Sequence, residues 1–246
     1  DSHHFPLPLI PGSDVVGIRE DTGDVVALQP GYGCGQCAQC RRGRHPLCRQ
    51  YAIRGETVDG GMCERVVVPE SHLLPCPLPP EQIAGAPLSL LTAWHMLVGR
   101  ARVKQGDKVL IQAGASGVGV YAIQIAKLHG AEVAVTASSA EKRARCIALG
   151  ADAAWTYDET RSEVRAWTDK RGVDIVIDHV GAATWDTSVR ALTRGGSLVT
   201  CGATTGHEAA IDLRILFFKQ LNLLGSTMGG MDELREAWTT VLRGKI

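Results

Sequence analysis

The sequence lacks a net charge, a long apolar run and any repetitive segment, and each absence narrows its possible functions. Its 26 basic side chains are balanced by 26 acidic ones, whereas binding to the phosphates of a nucleic acid requires a positive excess. No apolar run approaches the roughly 18 residues that cross a membrane. There is no basic, apolar leader with a small-residue cleavage site and no repeat or low-complexity tract. We therefore expect a cytoplasmic protein that binds neither nucleic acid nor membrane.

The composition is that of an ordinary globular protein. The chain has 246 residues, of which 45% are hydrophobic and 21% charged. A chain of this length forms one or two domains, each large enough to bury a hydrophobic core.

The eight cysteines are unevenly distributed. Four follow the pattern C-x2-C-x2-C-x7-C, namely Cys34, Cys37, Cys40 and Cys48. Closely spaced thiolates can converge on one tetrahedral Zn²⁺, and Gly33, Gly35 and Gly43 permit tight reversals of the chain around it. We therefore predict one zinc per chain, which is structural because four protein ligands leave no open coordination position. The alternatives are free cysteines or two disulfides.

The second half of the chain alternates strands and helices. Predicted strands are 107–113, 132–136, 173–180, 196–202 and 221–226, and predicted helices are 118–129, 140–149, 184–192 and 231–243. Strands separated by single helices predict right-handed crossovers and a parallel, doubly wound α/β sheet of the Rossmann type.

The first 80 residues differ from the rest. They are rich in proline, lack helical periodicity and contain short strand-like pieces at Val25–Leu28 and Glu64–Val68. We therefore predict a β-rich domain at residues 1–79 that carries the four cysteines, followed by a dinucleotide-binding domain at residues 80–246, which opens with helices at 81–97.

A glycine-rich turn is the main functional motif. It follows a predicted strand and opens a predicted helix, and its residues are Gly114, Ala115, Ser116, Gly117, Val118 and Gly119. In this context glycines allow a tight turn, approach of the backbone to a pyrophosphate and close packing of helix on strand. The helix N-terminus adds unpaired N–H groups and a positive dipole. The motif predicts a dinucleotide site, with an ordinary glycine turn as the alternative.

The end of the next strand indicates which dinucleotide binds. NAD-selective sites usually place an acidic residue there, but this sequence has Ser138 and Ser139, followed by Lys142. A carboxylate would repel a 2′-phosphate, whereas serine and lysine can bind one. We therefore predict NADPH in preference to NADH.

These features together resemble the medium-chain dehydrogenase/reductase superfamily, which includes zinc-type alcohol dehydrogenases and quinone oxidoreductases. The similar stretches cover nearly the whole chain in the family's order. They are GSDVVG (12–17), GDVVAL (23–28), PGYGCGQCAQCRRGRHPLC (30–48), DGGMCERVVVP (59–69), LTAWHML (91–97), GDKVLIQAGASGVGVYAIQIAKLHGAEV (106–133), LGAD (149–152), GVDIVIDHVG (172–181), GGSLVTCG (195–202) and LLGSTMG (223–229).

The resemblance implies a GroES-like β domain before the Rossmann domain, with the active site between them. It implies that the four cysteines are the family's structural zinc ligands. It also implies that Thr92 lies near the nicotinamide and that Lys142 and Tyr157 lie at the 2′-phosphate of NADPH. The family extends further at both ends, so the chain is expected to be a fragment or a shortened relative.

Two departures from the family bear on the mechanism. Ser13 replaces a histidine that binds the catalytic zinc, and Leu88 replaces a cysteine that does so. Neither side chain can hold Zn²⁺ firmly, so we expect no catalytic zinc. His3 and His4 are less favoured substitute ligands, because chain ends are commonly mobile.

The leading hypothesis is NADPH-dependent hydride transfer to a polarised C=C or C=O of a small quinone, enone or aldehyde. The alternatives are a zinc-dependent alcohol dehydrogenase with unusual ligands and a non-catalytic NADPH-binding fragment. No proton donor can be assigned, although Asp14, Ser89 and His95 lie nearby in the family comparison.

Two further expectations concern strand ends and assembly. Cys201 and Gly202 end a strand at the edge where ligands bind, and Gly202 is expected to contact the cofactor through its backbone. Asp178 either faces the cofactor or satisfies a turn. The predicted strand 221–226 resembles the family strand that pairs across a two-fold axis, so we expect a homodimer.

Overall fold

The computed structural model describes residues 7–246 and divides into two compact units. Unit 1 contains the chain up to Leu91 together with 228–245, and unit 2 contains Thr92–Thr227 and the terminal Ile246. The predicted boundary after residue 79 therefore lies within unit 1. The C-terminal segment, which the sequence pattern assigns to the second domain, packs in unit 1.

Within the described residues, unit 1 is built from short strands, three α-helices and short 3-10 helices, one of them at Cys40–Arg42. The strands are β1 (Val16–Ile18), β2 (Val25–Leu28), β3 (Gly31–Tyr32), β4 (Ala52–Ile53) and β5 (Leu73–Pro75), and the helices are α1 (Pro80–Ile83), α2 (Pro87–Trp94) and α8 (Met231–Leu242). Strand β2 lies between β1 and β5 in an antiparallel sheet, and β3 pairs with β4. Helix α2 runs into unit 2, where a π-helical segment follows at His95–Ala101.

The predicted strand at Glu64–Val68 is wrong. Within the described residues this segment pairs with no strand, and Val67 is 98% exposed. Its apolar side chains find no buried face, so alternation alone does not produce a strand there. The neighbouring segment Leu73–Pro75 forms β5 instead.

Helix α8 has a local cap at its start, and one aromatic side chain joins it to the rest of unit 1. The carboxylate of Glu233 accepts the backbone N–H of Gly230 at 2.8 Å, which satisfies a donor at the helix start. The indole of Trp238, 2% exposed, donates to the carbonyl of Pro75 at 2.8 Å. Burial of such a large ring stabilises the packing of α8 on the β-rich unit.

Unit 2 is a six-stranded sheet flanked by helices. The strands are β6 (Lys108–Ile111), β7 (Glu132–Thr136), β8 (Ala153–Trp155), β9 (Val173–Asp178), β10 (Leu192–Thr200) and β11 (Asn222–Gly225), and the helices are α3 (Gly117–Leu128), α4 (Ala140–Ala148), α5 (Thr160–Trp167), α6 (Trp185–Ala191) and α7 (Leu213–Lys219). The described chain gives this sheet the order β11-β10-β9-β6-β7-β8, with every pairing parallel. The predicted α/β fold class is confirmed.

The sheet topology marks one position as the ligand edge. The chain runs outward from β6 through β7 to β8 and then returns to β9 on the other side of β6. Ligands of open α/β sheets bind at such a reversal, outside the carboxyl ends of the strands. Strands β6 and β9 are buried on both faces, as apolar runs in parallel sheets predict.

No helix in the part of the chain that the structure describes combines the length and the apolarity needed to cross a bilayer.

Candidate functional site

The glycine-rich turn joins β6 to α3 at the ligand edge of the sheet. The N–H of Gly114 donates to the carbonyl of Thr136 on the neighbouring strand at 2.8 Å. A Cβ at Gly114 would lie 2.7 Å from the Cβ of Val135, and a Cβ at Gly119 would lie 2.5 Å from the carbonyl oxygen of Gly114. Both positions therefore require glycine because backbone or strand atoms occupy the space of a side chain.

The first turn of helix α3 has backbone N–H groups without an acceptor among the described residues. The hydroxyl of Ser116 caps the helix by accepting the N–H of Gly119 at 3.0 Å. The N–H groups of Gly117 and Val118 belong to the first turn, where a helix supplies no acceptor, and they have none among the described residues. Two unpaired donors and the helix dipole attract an anion.

His179 lies in the stretch GVDIVIDHVG (172–181), follows β9 and contacts the glycine-rich turn. Its Nε2 lies 2.8 Å from the hydroxyl oxygen of Ser116. Burial lowers the pKa of His179 below its ordinary 6.5, although the nearby carboxylate of Asp178 opposes the shift. The imidazole is therefore neutral near pH 7, and its Nε2 can accept the proton of Ser116, whose oxygen already accepts the N–H of Gly119.

Replacement of His179 by glutamine is expected to weaken the pH dependence of folding stability. The unfolded chain takes up this proton near pH 6.5, whereas the buried ring takes it up only at lower pH. Stability from the neutral ring is therefore complete above pH 6.5 and is lost as pH falls through the folded pKa. Urea unfolding at pH 7 and pH 5 should show a smaller loss for His179→Gln than for the unchanged protein.

The control for this prediction is His207→Gln, because His207 is exposed. The control should keep the full pH dependence. An unchanged pH dependence in His179→Gln would contradict the prediction.

A buried network of polar side chains connects the strand ends next to the glycine-rich turn. The amide of Gln112 accepts the hydroxyl of Thr136 at 2.7 Å and donates to the hydroxyl of Ser188 at 3.0 Å. Ser188 in turn donates to the carboxylate of Asp178 at 2.6 Å. The network links β7, β6, α6 and β9, so it fixes the register of the strand ends that present the turn.

Asp178 satisfies a turn, which decides between the two roles left open for it. The residue is fully buried, and its carboxylate also accepts the N–H groups of Val180 and Gly181 and the hydroxyl of Thr184. Four donors occupy its oxygens, so its role is to hold the loop after β9.

The residues predicted at the adenosine end lie near the carboxyl ends of β7 and β8. Ser138, Lys142 and Tyr157 are all exposed. Helix α4 starts there with the hydroxyl of Ser139 accepting the N–H of Lys142 at 3.2 Å. The guanidinium of Arg143 donates to the carbonyl of Ala137 at 3.1 Å, which ties the same turn together. The ammonium of Lys142 remains available to an anion.

The remaining predicted positions are less closely connected with the turn. Gly202 lies beside His179, since a Cβ there would be 3.1 Å from the carbonyl oxygen of that residue. Thr92 is buried on α2.

Burial raises the pKa of Cys201 to about 11, so this thiol stays protonated. Asp14, Ser89 and His95 are half-buried.

The four clustered cysteines converge in unit 1. Their sulfur atoms all lie within 4.8 Å of one another, and none of the chain's eight cysteines, all within the described range, is in a disulfide. Four sulfurs at ~2.3 Å from one Zn²⁺ would lie about 3.8 Å apart, so a small contraction completes a tetrahedral site. The donor set and its geometry fit zinc.

The local backbone explains why the sulfurs meet. Gly35 and Gly43 adopt positive φ of 75° and 71°, and a Cβ at Gly33 would lie 2.5 Å from the sulfur of Cys40. The N–H of Cys34 and that of Gln50 point to the sulfur of Cys48 at 3.4 and 3.3 Å. Such N–H groups stabilise thiolate charge, as a zinc site requires.

The pKa values within the cluster diverge. The N–H of Cys40 is the main cause that lowers the pKa of Cys37 to about 6, whereas burial raises the pKa of Cys40 to about 12. A cation at the centre would favour the thiolate at both positions.

One hydrogen bond joins the segments that contain Ser13 and Leu88. The backbone N–H of Leu88 donates to the carboxylate of Asp14 at 2.7 Å, and burial raises the pKa of this carboxyl. Within residues 7–246 the four cysteines are the one group of three or more potential metal ligands that come together. His3 and His4, the less favoured substitute ligands, lie outside the described residues.

Comparison with known protein families assigns both the N-terminal and the C-terminal part of the chain. The family described as "Zinc-binding dehydrogenase" matches residues 117–243, and the family described as "Alcohol dehydrogenase GroES-like domain" matches residues 1–78. The chain belongs to the medium-chain dehydrogenase/reductase superfamily. The resemblance identified in the sequence is thereby confirmed.

Two curated members of the superfamily show the extent of the similarity. A crotonyl-CoA reductase of Streptomyces collinus is 32% identical over 99% of this chain and 62% of its own length. A probable quinone oxidoreductase of Schizosaccharomyces pombe is 31% identical over 92% of this chain and 64% of its own length. The chain thus spans less than two thirds of each relative.

Two solved structures of the superfamily share the fold. A structure described as NAD-dependent alcohol dehydrogenase has a TM-score of 0.91 and 39% identity, covering 98% of this chain and 74% of that one. The 2-octenoyl-CoA carboxylase reductase CinF, solved with NADP and 2-octenoyl-CoA, has a TM-score of 0.90 and 32% identity, covering 97% of this chain and 61% of that one.

Proposed function

We propose that the protein is an NADPH-dependent oxidoreductase that transfers hydride to a polarised C=C or C=O of a small molecule, without a catalytic zinc. The observation that carries the proposal is the turn at residues 114–119, where two obligatory glycines bring unpaired N–H donors to the ligand edge of the sheet. The relatives named for reduction of crotonyl-CoA and of quinones support the reaction class.

The residues of the turn fit a dinucleotide pyrophosphate. The N–H groups of Gly117 and Val118 would bind phosphate oxygens, and Ser116 would keep these donors in place through its bonds to Gly119 and His179. Gly114 and Gly119 leave no side chain in the way. When bound, the reduced nicotinamide supplies the hydride; Thr92 and the backbone of Gly202 are proposed to position that end.

The choice of NADPH rests on the exposed group at the adenosine end. Ser138, Lys142 and Tyr157 offer two hydroxyls and an ammonium, and phosphate accepts hydrogen bonds from both kinds of donor. The carboxylase reductase CinF supports this choice because it was solved with NADP. A structure of the same fold is described as an NAD-dependent alcohol dehydrogenase. The fold therefore does not set the preference between NAD and NADP, which depends on the side chains at the adenosine end.

Replacement of Lys142 by alanine is expected to weaken NADPH binding about tenfold, which is the value of one charge-assisted hydrogen bond. NADH, which lacks the 2′-phosphate, should bind with unchanged affinity. Both dissociation constants can be measured from nucleotide fluorescence. Arg145→Ala is the matched control, because Arg145 is an exposed cation on the same helix α4. Equal losses for both nucleotides would contradict the assignment.

The zinc of this protein is proposed to be structural. The four cysteines would supply all its ligands, whereas Ser13 and Leu88 offer no strong ligand at the family's catalytic positions. Polarisation of the substrate would then depend on hydroxyl or backbone donors.

A zinc count combined with turnover assays tests the proposed function. We expect one zinc per chain and NADPH oxidation with at least one member of a panel of quinones, enones and aldehydes. Two zincs per chain would favour a zinc-dependent alcohol dehydrogenase instead. Tight NADPH binding without turnover across the panel would favour a non-catalytic binding protein.

We also propose that the protein forms a homodimer through the β11 edge. Strand β11 is the terminal strand of the sheet, and the preceding helix α7 exposes Leu213, Phe217 and Phe218 by 63, 59 and 65%. An open edge beside a large apolar patch is typical of an interface. Sedimentation equilibrium of the unchanged protein should give twice the mass of one chain. The Phe217→Asp variant should have the mass of a single chain. A monomeric unchanged protein would contradict the proposal.

A further inference from the structure

A cavity lined by cationic and apolar side chains lies in unit 2, away from the glycine-rich turn. It has a volume of about 470 Å³ and opens where β9 and β10 begin, since Gly172 precedes β9 and Leu192 starts β10. Strand β9 has six residues and is thus about 20 Å long. The cavity and the turn therefore lie at opposite edges of the parallel sheet.

The walls of this cavity are strongly basic. Seven cationic side chains line it, namely Arg161, Arg165, Lys170, Arg171, Arg190, Arg194 and Lys219. Arg171 and Arg190 form ion pairs with Asp174 and Asp186. The other five make no ion pair within the part of the chain that the structure describes. This concentration of uncompensated charge is unusual for a chain whose formal net charge is zero.

The cations come from three separate segments. Arg161 and Arg165 lie one turn apart on the same face of α5. After α5 the chain reverses through Asp169 and Lys170, both at positive φ, and this turn brings Lys170 to the cavity. Residues 187–194 and 215–219 complete the wall.

Part of the charge is held close to apolar side chains. Val164 and Leu192 line the cavity and are 2 and 0% exposed. The ammonium of Lys219 donates to the carbonyls of Arg190 and Leu192 at 3.1 and 2.6 Å, which leaves one of its three protons. Burial, followed by the charges of Arg190 and Arg194, lowers the pKa of Lys219. A bound anion would relieve this repulsion.

We propose that this basic cavity binds a small oligophosphate, as the free anion or as the phosphate chain of a nucleotide. Arginine forks match phosphate oxygens in pairs, and the buried apolar side chains of Val164 and Leu192 in the wall strengthen nearby attractions relative to open solvent. The volume suits a ligand of a few phosphate groups with a small attached moiety, and it excludes a polymer from the interior. The proposal is independent of the proposed function because it uses none of the residues at the glycine-rich turn.

Calorimetric titration of the 246-residue chain with inorganic pyrophosphate at constant ionic strength tests the proposal. We expect one saturable site, weakened about hundredfold in Arg161→Gln/Arg165→Gln, because two charge-assisted hydrogen bonds are removed. The matched control is Arg145→Gln/Arg243→Gln, which removes the same charge from exposed positions outside the cavity. Lys170→Gln alone should weaken binding about tenfold. This single variant still tests the site if the double variant fails to fold.

Parallel titrations identify the source of the phosphate. ADP that binds more tightly than pyrophosphate would indicate a nucleotide, and equal affinities would indicate the free anion; both results support the site. Pyrophosphate binding that survives the cavity substitutions and is displaced by NADPH would place the anion at the glycine-rich turn and overturn the proposal. Equal weakening in the control variant, no saturation, or tighter binding of an oligonucleotide through the same side chains would also overturn it.

Discussion

Replacement of Gly119 by alanine is expected to remove almost all binding of NADPH. The added Cβ would lie 2.5 and 2.6 Å from the carbonyl oxygens of Gly114 and Ala113, so helix α3 must move away from the turn. The unpaired donors of Gly117 and Val118 would move with it. We expect affinity to fall at least about hundredfold, or ~2.8 kcal/mol, and stability to fall by about 1–3 kcal/mol through overpacking.

The matched control is Gly85→Ala. A Cβ added at Gly85 would meet no atom within 4 Å, and this residue lies between α1 and α2, outside the glycine-rich turn and the β11 edge. The control variant should keep its NADPH affinity, as measured by quenching of protein fluorescence. Unchanged affinity in Gly119→Ala would contradict the placement of the pyrophosphate at the turn.

Loss of one of the four clustered cysteines is expected to unfold the segment at residues 33–48 that carries them. Cys40 is buried, and its sulfur lies among those of Cys34, Cys37 and Cys48. Cys40→Ala leaves three ligands, so we expect less than one zinc per chain and a loss of about 4 kcal/mol or more in the stability of unit 1. Trypsin should then cleave rapidly after Arg41 and Arg42, which follow Cys40 in the same short helix.

The matched control is Cys63→Ser, because Cys63 is exposed and lies outside the cluster. It should retain one zinc and the original resistance to trypsin. A Cys40→Ala variant that kept stoichiometric zinc, or that lost zinc without any change in cleavage, would contradict a structural role for the metal.

Local signals account for the parts of the structure that can be predicted well from the sequence. Helix α3 is expected at 118–129 and occupies Gly117–Leu128, since its glycine-rich start and Gly130 after its end are both visible in the sequence. The apolar run after residue 172 likewise predicts β9, because strands of a parallel sheet are buried on both faces. Helices α5 and α7 are not among the predicted elements, because with eight and seven residues each is too short for the helical period to repeat more than about twice.

The supporting contacts of the site could not be predicted because they join distant segments. Gln112 reaches Ser188, 76 positions away, and His179 reaches Ser116, 63 positions away. The one signal in the sequence is the presence of polar residues at the ends of otherwise apolar strands, as at Gln112 and Asp178. The sequence predicts the basic cavity even less well. Its cations come from three separate segments, acidic residues lie between them, and the chain has no net charge.

Equilibrium titration of the zinc-containing chain with NADPH and NADH, followed by nucleotide fluorescence, tests the central claim most directly. We predict one NADPH site per chain, with affinity about tenfold higher than for NADH because of the 2′-phosphate contacts. Absence of saturable binding, or affinity for NADH equal to or greater than that for NADPH, would contradict the account.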